Sequence, residues 1–184
     1  AAGAERTAET TPTATHAGQN DKRTALRLAL EHLHRHAPQP TESVVLGDGA
    51  PYGQLLLDTQ RCTLCLACVS VCPASALQDG RDQPQLKFIE ANCVQCGRCA
   101  DACPEQVITV QPRYLFDAQQ ARQPRLLHQA DVFRCVECGK PFASAAMIQA
   151  ITEKLKHHPM FQGKAARRLQ LCEDCRVNAH FRHL

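Results

Sequence analysis

Apolar residues recur at helical spacing early in the chain, where Leu26, Leu30 and Leu33 run through the stretch from Lys22 to His36. This pattern predicts a helix. Asp21 or Thr24 is placed to cap its start, and Pro38 and Pro40 stop it. Residues 1–20 are rich in Ala and Thr with almost no large apolar side chains, which predicts disorder. After the helix, Gly47, Gly49, Pro51 and Gly53 mark a loop, with Val44 to Leu46 a short edge strand. Leu55 to Asp58 and Leu86 to Glu90 read as strands, and Ala76 to Gln78 and Val107 to Val110 as return strands. Past Pro112 the chain turns polar, with Gln119, Gln120 and Gln123, and reads as a linker over 113–131. A helical stretch from Ala143 to His157 follows, broken at Pro159 and Gly163.

Part of this pattern occurs twice. An offset of 31 residues carries Cys62 onto Cys93, Cys65 onto Cys96, Cys68 onto Cys99, Cys72 onto Cys103, Pro73 onto Pro104 and Leu77 onto Ile108. Two copies of one half-domain imply a pseudo-twofold fold, each half a strand, a cysteine loop, a short helix and a strand. The predicted organisation is a disordered start (1–20), an N-terminal helix and loop (21–53), the repeat domain (54–112), the linker (113–131) and a small four-cysteine unit with helices (132–184).

The repeated cysteines carry the chemistry. Each copy reads C-x2-C-x2-C-x3-C-P, the bacterial run for a pair of [4Fe-4S] clusters. An even count of twelve cysteines is also compatible with disulfides, but identical short intervals suit a metal or a cubane, whereas disulfide frameworks are irregular. A C-x2-C-x2-C loop curls around three corners of a cubane, and in the two-cluster pattern the last Cys of each run ligates the other cluster. Cluster one is thereby assigned to Cys62, Cys65, Cys68 and Cys103, and cluster two to Cys93, Cys96, Cys99 and Cys72. Leu64, Leu66, Val69, Val71, Val94, Val107 and Ile108 lie between and beside the ligands, where they can exclude water and help set the potential. With a thiolate on every iron, no open coordination site remains for Lewis-acid catalysis, and the chain has no G-x-G-x-x-G or P-loop.

Through these two runs, residues 54–112 resemble the bacterial-type two-[4Fe-4S] ferredoxin family. The resemblance implies a small α+β ferredoxin-like fold and one-electron transfer at low potential. Such a module needs a redox partner or an oxidoreductase subunit to use its electrons.

The remaining cysteines form two knuckles, Cys135-x2-Cys138 and Cys172-x2-Cys175, with 33 residues between them. Paired C-x2-C knuckles suit a tetrahedral four-thiolate site, and zinc is the expected metal. Gly139 favours the first turn; Arg176 after the second departs from the rubredoxin pattern and disfavours mononuclear iron, with a third cluster or a reversible disulfide pair as further alternatives. His157, His158, His180 and His183, and the helical pair His32 and His36, are read as surface residues rather than ligands. The tail resembles the zinc-ribbon-like appendages of larger bacterial iron–sulfur proteins.

Charge and composition narrow the classes. Aromatic residues are 4% of the chain and Trp is absent, so side chains to fill a core are scarce and metal must replace them. The cysteine regions are expected to unfold when stripped of metal. The net charge of +3 hides a split: Lys and Arg against Asp and Glu count 5 to 6 in residues 1–53, 4 to 6 in 54–112 and 12 to 6 in 113–184. The basic group Lys154, Lys156, Lys164, Arg167, Arg168, Arg176 and Arg182 suits a solvated face or an acidic redox partner. Nucleic acid is disfavoured because few aromatics accompany it. No apolar run reaches the length of a membrane span. Reduced thiols point to the cytoplasm. The chain begins at Ala1 rather than Met, which leaves room upstream for a signal, a tag or a longer parent. The primary reading is an electron carrier or relay domain. The alternatives are a nucleic-acid- or protein-binding module with structural clusters and a basic zinc ribbon, or a subunit of an enzyme whose active site lies elsewhere.

Overall fold

The computed structural model describes residues 11–15, 21–81 and 83–181, with backbone alone at residues 164, 180 and 181. Most of the segment expected to be disordered, together with Arg182 and His183, lies outside the described residues. The fold is α+β, with short helices around small antiparallel sheets.

Helix α1 (Lys22–Arg35) starts where predicted: Asp21 accepts the N–H groups of Arg23 at 3.3 Å and Thr24 at 2.8 Å. Its leucine periodicity does not mark its docked face. Leu26 and Leu33 are exposed, while Arg23 and Arg27 turn inward and donate to backbone carbonyls of the body. Guanidinium forks can satisfy carbonyls that no strand partner reaches, and Arg23 also lies 4.2 Å over the Tyr52 ring.

β1 (Ser43–Val45) and β2 (Gly53–Leu57) both pair with β5 (Ile108–Leu115), which lies between them. The return strand expected to end at Val110 therefore runs five residues further, because β5 serves two partners in succession. β2 pairs with Ile108 to Pro112, and β1 with Arg113 to Leu115. Pro112 has no N–H to donate, so the ladder changes partner there. Its carbonyl still accepts from Leu46 at 3.2 Å, and Arg113 N–H donates to Tyr52 at 3.1 Å.

The second sheet has the order β3 (Leu77–Asp79), β4 (Gln85–Phe88), β6 (Arg125–Gln129). Period-2 alternation points Leu86 and Phe88 inward, where each is 1% exposed. Burying two such side chains contributes about 1.5–3 kcal/mol each. The core they join includes Leu55, Leu64, Leu77, Val107 and Ile108 together with Cys68, Cys93 and Cys99, so the apolar centre and the cysteine loops are one body.

Residues 113–131, read as a linker, are folded into that body. They hold the end of β5, helix α4 (Ala118–Arg122) and strand β6, which pairs with β4 through a bulge between Leu86 and Lys87. The glutamines misled because Gln119, Gln120 and Gln123 are exposed, and β6 keeps only Leu127 and His128 partly buried. An edge strand with so little inward apolar surface has no strong alternating signature.

The tail begins with a hairpin, β7 (Val132–Arg134) and β8 (Pro141–Ser144), and continues into α5 (Ala145–Leu155), close to the predicted stretch. Short 3₁₀ segments at Pro159–Phe161 and Gly163–Gln170 lead to α6 (Glu173–Phe181). Among the described residues no helix is long and apolar enough to cross a membrane.

Candidate metal centres

The two cysteine loops repeat each other in backbone as well as in sequence. Helices α2 (Ala67–Ser70) and α3 (Arg98–Asp101) stand at the same 31-residue offset. So do the left-handed residues: Leu64 at φ 53° with Gln95 at 55°, Leu66 at 61° with Gly97 at 77°, and Ser75 at 49° with Gln106 at 52°. Left-handed backbone costs about 1–2 kcal/mol for each non-glycine residue. Five such residues persist because the loop must turn its amides toward sulfur: the backbone N–H of Leu64 faces Cys62 Sγ, and that of Gln95 faces Cys93 Sγ.

These loops gather the eight sulfurs into two groups. Cys62, Cys65, Cys68 and Cys103 line one cavity, walled by Leu64, Leu66, Leu86, Val107 and Ile108. Cys72, Cys93, Cys96 and Cys99 line another, walled by Leu55, Leu77, Phe88 and Val110. In both, the last cysteine of one run sits with the first three of the other. Cys65 and Cys96 are exposed, whereas Cys68, Cys93 and Cys99 are buried.

Electrostatics favours bound metal in both cavities. Burial pushes the Cys68 thiol up to about 12, helped by Cys62 and Cys65, and pushes Cys99 up to about 11. Cys62 and Cys93 are raised for the same reason, against the opposing pull of their backbone donors. Placing four thiolates in such a wall would set them against one another without water to screen them. Iron would supply the compensating positive charge, so the donor set fits an iron–sulfur group.

The tail brings its four cysteines together at one point. The ligand atoms of Cys135, Cys138, Cys172 and Cys175 all lie within 4.8 Å of one another. The Cys138 and Cys172 sulfurs are 3.7 Å apart. Two thiolates bound at about 2.3 Å to one tetrahedral ion stand about 3.8 Å apart, so this set fits a single ion. The first knuckle turns through Gly139, at φ +74°, whose N–H donates to Cys135 at 2.9 Å. The second knuckle spans Cys172, just before α6, and Cys175 in its first turn; Val136 N–H joins the two by donating to Gln170 at 3.2 Å. Burial resists ionisation of Cys135, yet backbone donors at Cys138, Cys172 and Glu137 bring its thiol down to about 6. Contact with Cys138, then burial, pushes Cys175 up to about 12.

Of the other candidate ligands, His32, His36, His157 and His158 are not gathered there, while the side chains of His180 and His183 lie outside the described residues. His157 and His158 are exposed, and His158 accepts the Met160 N–H at 3.3 Å. The His32 and His36 rings meet at 4.5 Å, tilted by 46°, with His32 against the Pro12 carbonyl. The basic group is also dispersed: Lys154 pairs with Glu105 at 2.5 Å, Arg167 with Glu137 at 3.1 Å, and Lys156 with Glu153. Sequence reasoning missed Gln95, whose side-chain amide reaches Cys93 Sγ at 3.4 Å. Its signal was available, since Gln95 stands where the other copy has Leu64.

Residues 61–108 match the family of the 4Fe-4S dicluster domain, which contains both runs and leaves residues 1–60 and 109–184 outside it. No curated protein matches the chain. The matched segment is thus ferredoxin-like and iron–sulfur in character.

Proposed function

We propose that this chain is a ferredoxin-type one-electron carrier, or the relay domain of a larger oxidoreductase system, holding two [4Fe-4S] clusters and one zinc ion. Cys62, Cys65, Cys68 and Cys103 hold cluster one; Cys93, Cys96, Cys99 and Cys72 hold cluster two; Cys135, Cys138, Cys172 and Cys175 hold the zinc. The grouping of eight sulfurs into two apolar cavities, each with one cysteine crossing from the other run, is the observation that carries the reading. A bound cubane supplies a one-electron acceptor that cycles without making or breaking a substrate bond. The chain supplies the rest: buried walls that keep water from the inner sulfurs, and amides turned toward them. Exposed Cys65 and Cys96 mark where each centre comes nearest to solvent and to a partner.

In this reading the pseudo-twofold ferredoxin domain spans 54–112, extended by 113–131, and the zinc unit spans 132–184. Residence is cytoplasmic, where thiols stay reduced until metal arrives. The partner is a redox protein rather than nucleic acid, in keeping with the acid-paired lysines and arginines of the tail. Protein purified without oxygen should contain about eight iron, eight sulfide and one zinc per chain. Dithionite should bleach it and produce the EPR signals of reduced cubanes. Absence of sulfide, or clusters silent and unbleached at low potential, overturns the reading.

A further inference from the structure

The two cysteine loops are copies, and each has an arginine bonded to a nearby carbonyl, Arg61 to Glu105 at 2.9 Å on the first side and Arg23 on the second, yet the donors to their sulfurs differ. Each donates a backbone N–H to its first sulfur, from Leu64 in one copy and Gln95 in the other. Only the second adds a side chain. Gln95 Nε2 donates to Cys93 Sγ at 3.4 Å and to the Gln54 carbonyl at 3.2 Å. Both partners accept, which settles which end of the amide is nitrogen. The matching Leu64 is apolar and 5% exposed.

The chain keeps this amide at a cost. Gln95 Oε1 is buried without a hydrogen-bond partner, which Leu at this position would avoid. Gly53 leaves room both for the Gln111 carbonyl and for the amide, since a Cβ there would fall 2.3 Å from Gln111 O, 2.5 Å from Gln95 Cδ and 2.6 Å from Nε2. Packing alone gives no reason to choose this arrangement over the apolar one in the other copy.

A cation stands on the same side. Arg23 of α1 donates from Nη2 to the Cys93 carbonyl at 2.6 Å and to Ala91 at 3.2 Å, and from Nη1 to Pro51 at 2.7 Å. Its guanidinium stays protonated. Among the described residues, Arg98 is the charged side chain lining the cavity of Cys72, Cys93, Cys96 and Cys99, where the repeat has Ala67 in the other copy; the charged side chain lining the other cavity is an acid, Glu105, paired with Lys154. The Ala76 N–H adds a donor to Cys72 Sγ at 3.3 Å.

Building on the two-cluster reading, we infer that Gln95 and Arg23 make the centre held by Cys72, Cys93, Cys96 and Cys99 the higher-potential of the two, so that the first electron rests there. Reduction adds one negative charge to the sulfurs and iron. N–H donors and nearby positive charge stabilise that added charge, and an apolar wall does not. An electron given up by a one-electron donor, which is itself oxidised, passes from the Leu64 side to the Gln95 side. It leaves from there to a one-electron acceptor of higher potential. Gln95 and Arg23 are positioning residues for this polarity and ligate nothing.

An EPR-monitored redox titration of the full-length, cluster-loaded protein tests it. The parent protein should reduce in two separate one-electron steps. Gln95→Met should lower the upper step, and Arg23→Gln should lower the same step. Each should change the reduced-to-oxidised ratio at fixed potential by about tenfold, equivalent to 59 mV for a one-electron couple. Leu64→Gln, which puts the donor in the other copy, should raise the lower step and narrow the gap. Coincident steps in the parent protein overturn the inference, as does a Gln95→Met variant that moves the lower step or neither. Should Gln95→Met fail to hold its clusters, Leu64→Gln decides, and an unchanged gap overturns the proposal. Missing iron and sulfide would fail the two-cluster reading itself; full clusters at equal potential would fail only the polarity.

Discussion

Ser144 donates its hydroxyl to the Thr63 carbonyl at 2.6 Å while accepting the Met147 N–H at 3.0 Å. One buried oxygen therefore caps α5 and pins the tail to the loop between Cys62 and Cys65. Loss of that hydroxyl in Ser144→Ala removes a helix cap and leaves a carbonyl unpaired, which should cost about 1–3 kcal/mol. Ser144→Thr should recover most of it. Guanidinium unfolding followed by helix circular dichroism, alongside cluster absorbance, checks both values; an unchanged midpoint in Ser144→Ala would remove this contact as a staple.

Arg113 meets Glu90 through two hydrogen bonds, Nε to Oε1 at 2.8 Å and Nη2 to Oε2 at 2.7 Å. Glu90 is 9% exposed and Arg113 20%. Removing one partner strands a largely buried charge, although residual solvent at the arginine softens the penalty. Arg113→Ala should therefore destabilise the β5 region by about 2–3 kcal/mol, more than Glu90→Gln, which keeps one acceptor. Urea midpoints for the two variants and their double mutant measure the coupling.

The crossed ligation proposed above makes a directional forecast. Cys72 belongs by sequence to the first run, yet lines the cavity of Cys93, Cys96 and Cys99. Cys72→Ala should lower iron content and perturb the centre of the second run while leaving the signal of the first. Cys103→Ala should do the reverse. Iron analysis with EPR of the dithionite-reduced variants distinguishes them, and loss of the first-run signal in Cys72→Ala contradicts the assignment.

Chelation should separate the two kinds of centre. The tail sulfurs lie within 4.8 Å of one another, and two of the four cysteines, Cys135 and Cys172, form the buried cluster of the tail with Leu171. A zinc chelator under anaerobic conditions should release about one equivalent of metal and melt α5 and α6, with iron–sulfur absorbance retained. Retention of full helicity after zinc release would show that packing alone holds the tail.

Much of the candidate chemistry was legible because metal ligation is written at short range. Intervals of two and three residues between cysteines dictate which sulfurs one loop can present, and a four-thiolate set restricts the metals that suit it. The start of α1 was legible for the same reason, since Asp21 acts on N–H groups two and three residues away. Gln95 was harder: its role depends on Gly53 and Gln54, about forty residues upstream, and on an arginine further still.

The amino-acid sequence by itself determined the cysteine loops, the repeat, the first helix and the kinds of ligand, all consequences of local spacing and local hydrogen bonding. Tertiary structure alone decided that β5 changes partner at Pro112, that the glutamine-rich stretch adds β6 to a sheet, that α1 docks by arginine rather than leucine, and that Ser144 fastens the tail beside Cys62. Those outcomes join residues distant in the chain. They depend on which buried donors and carbonyls are left without a nearby partner once the core has closed, and periodicity along the chain does not encode that.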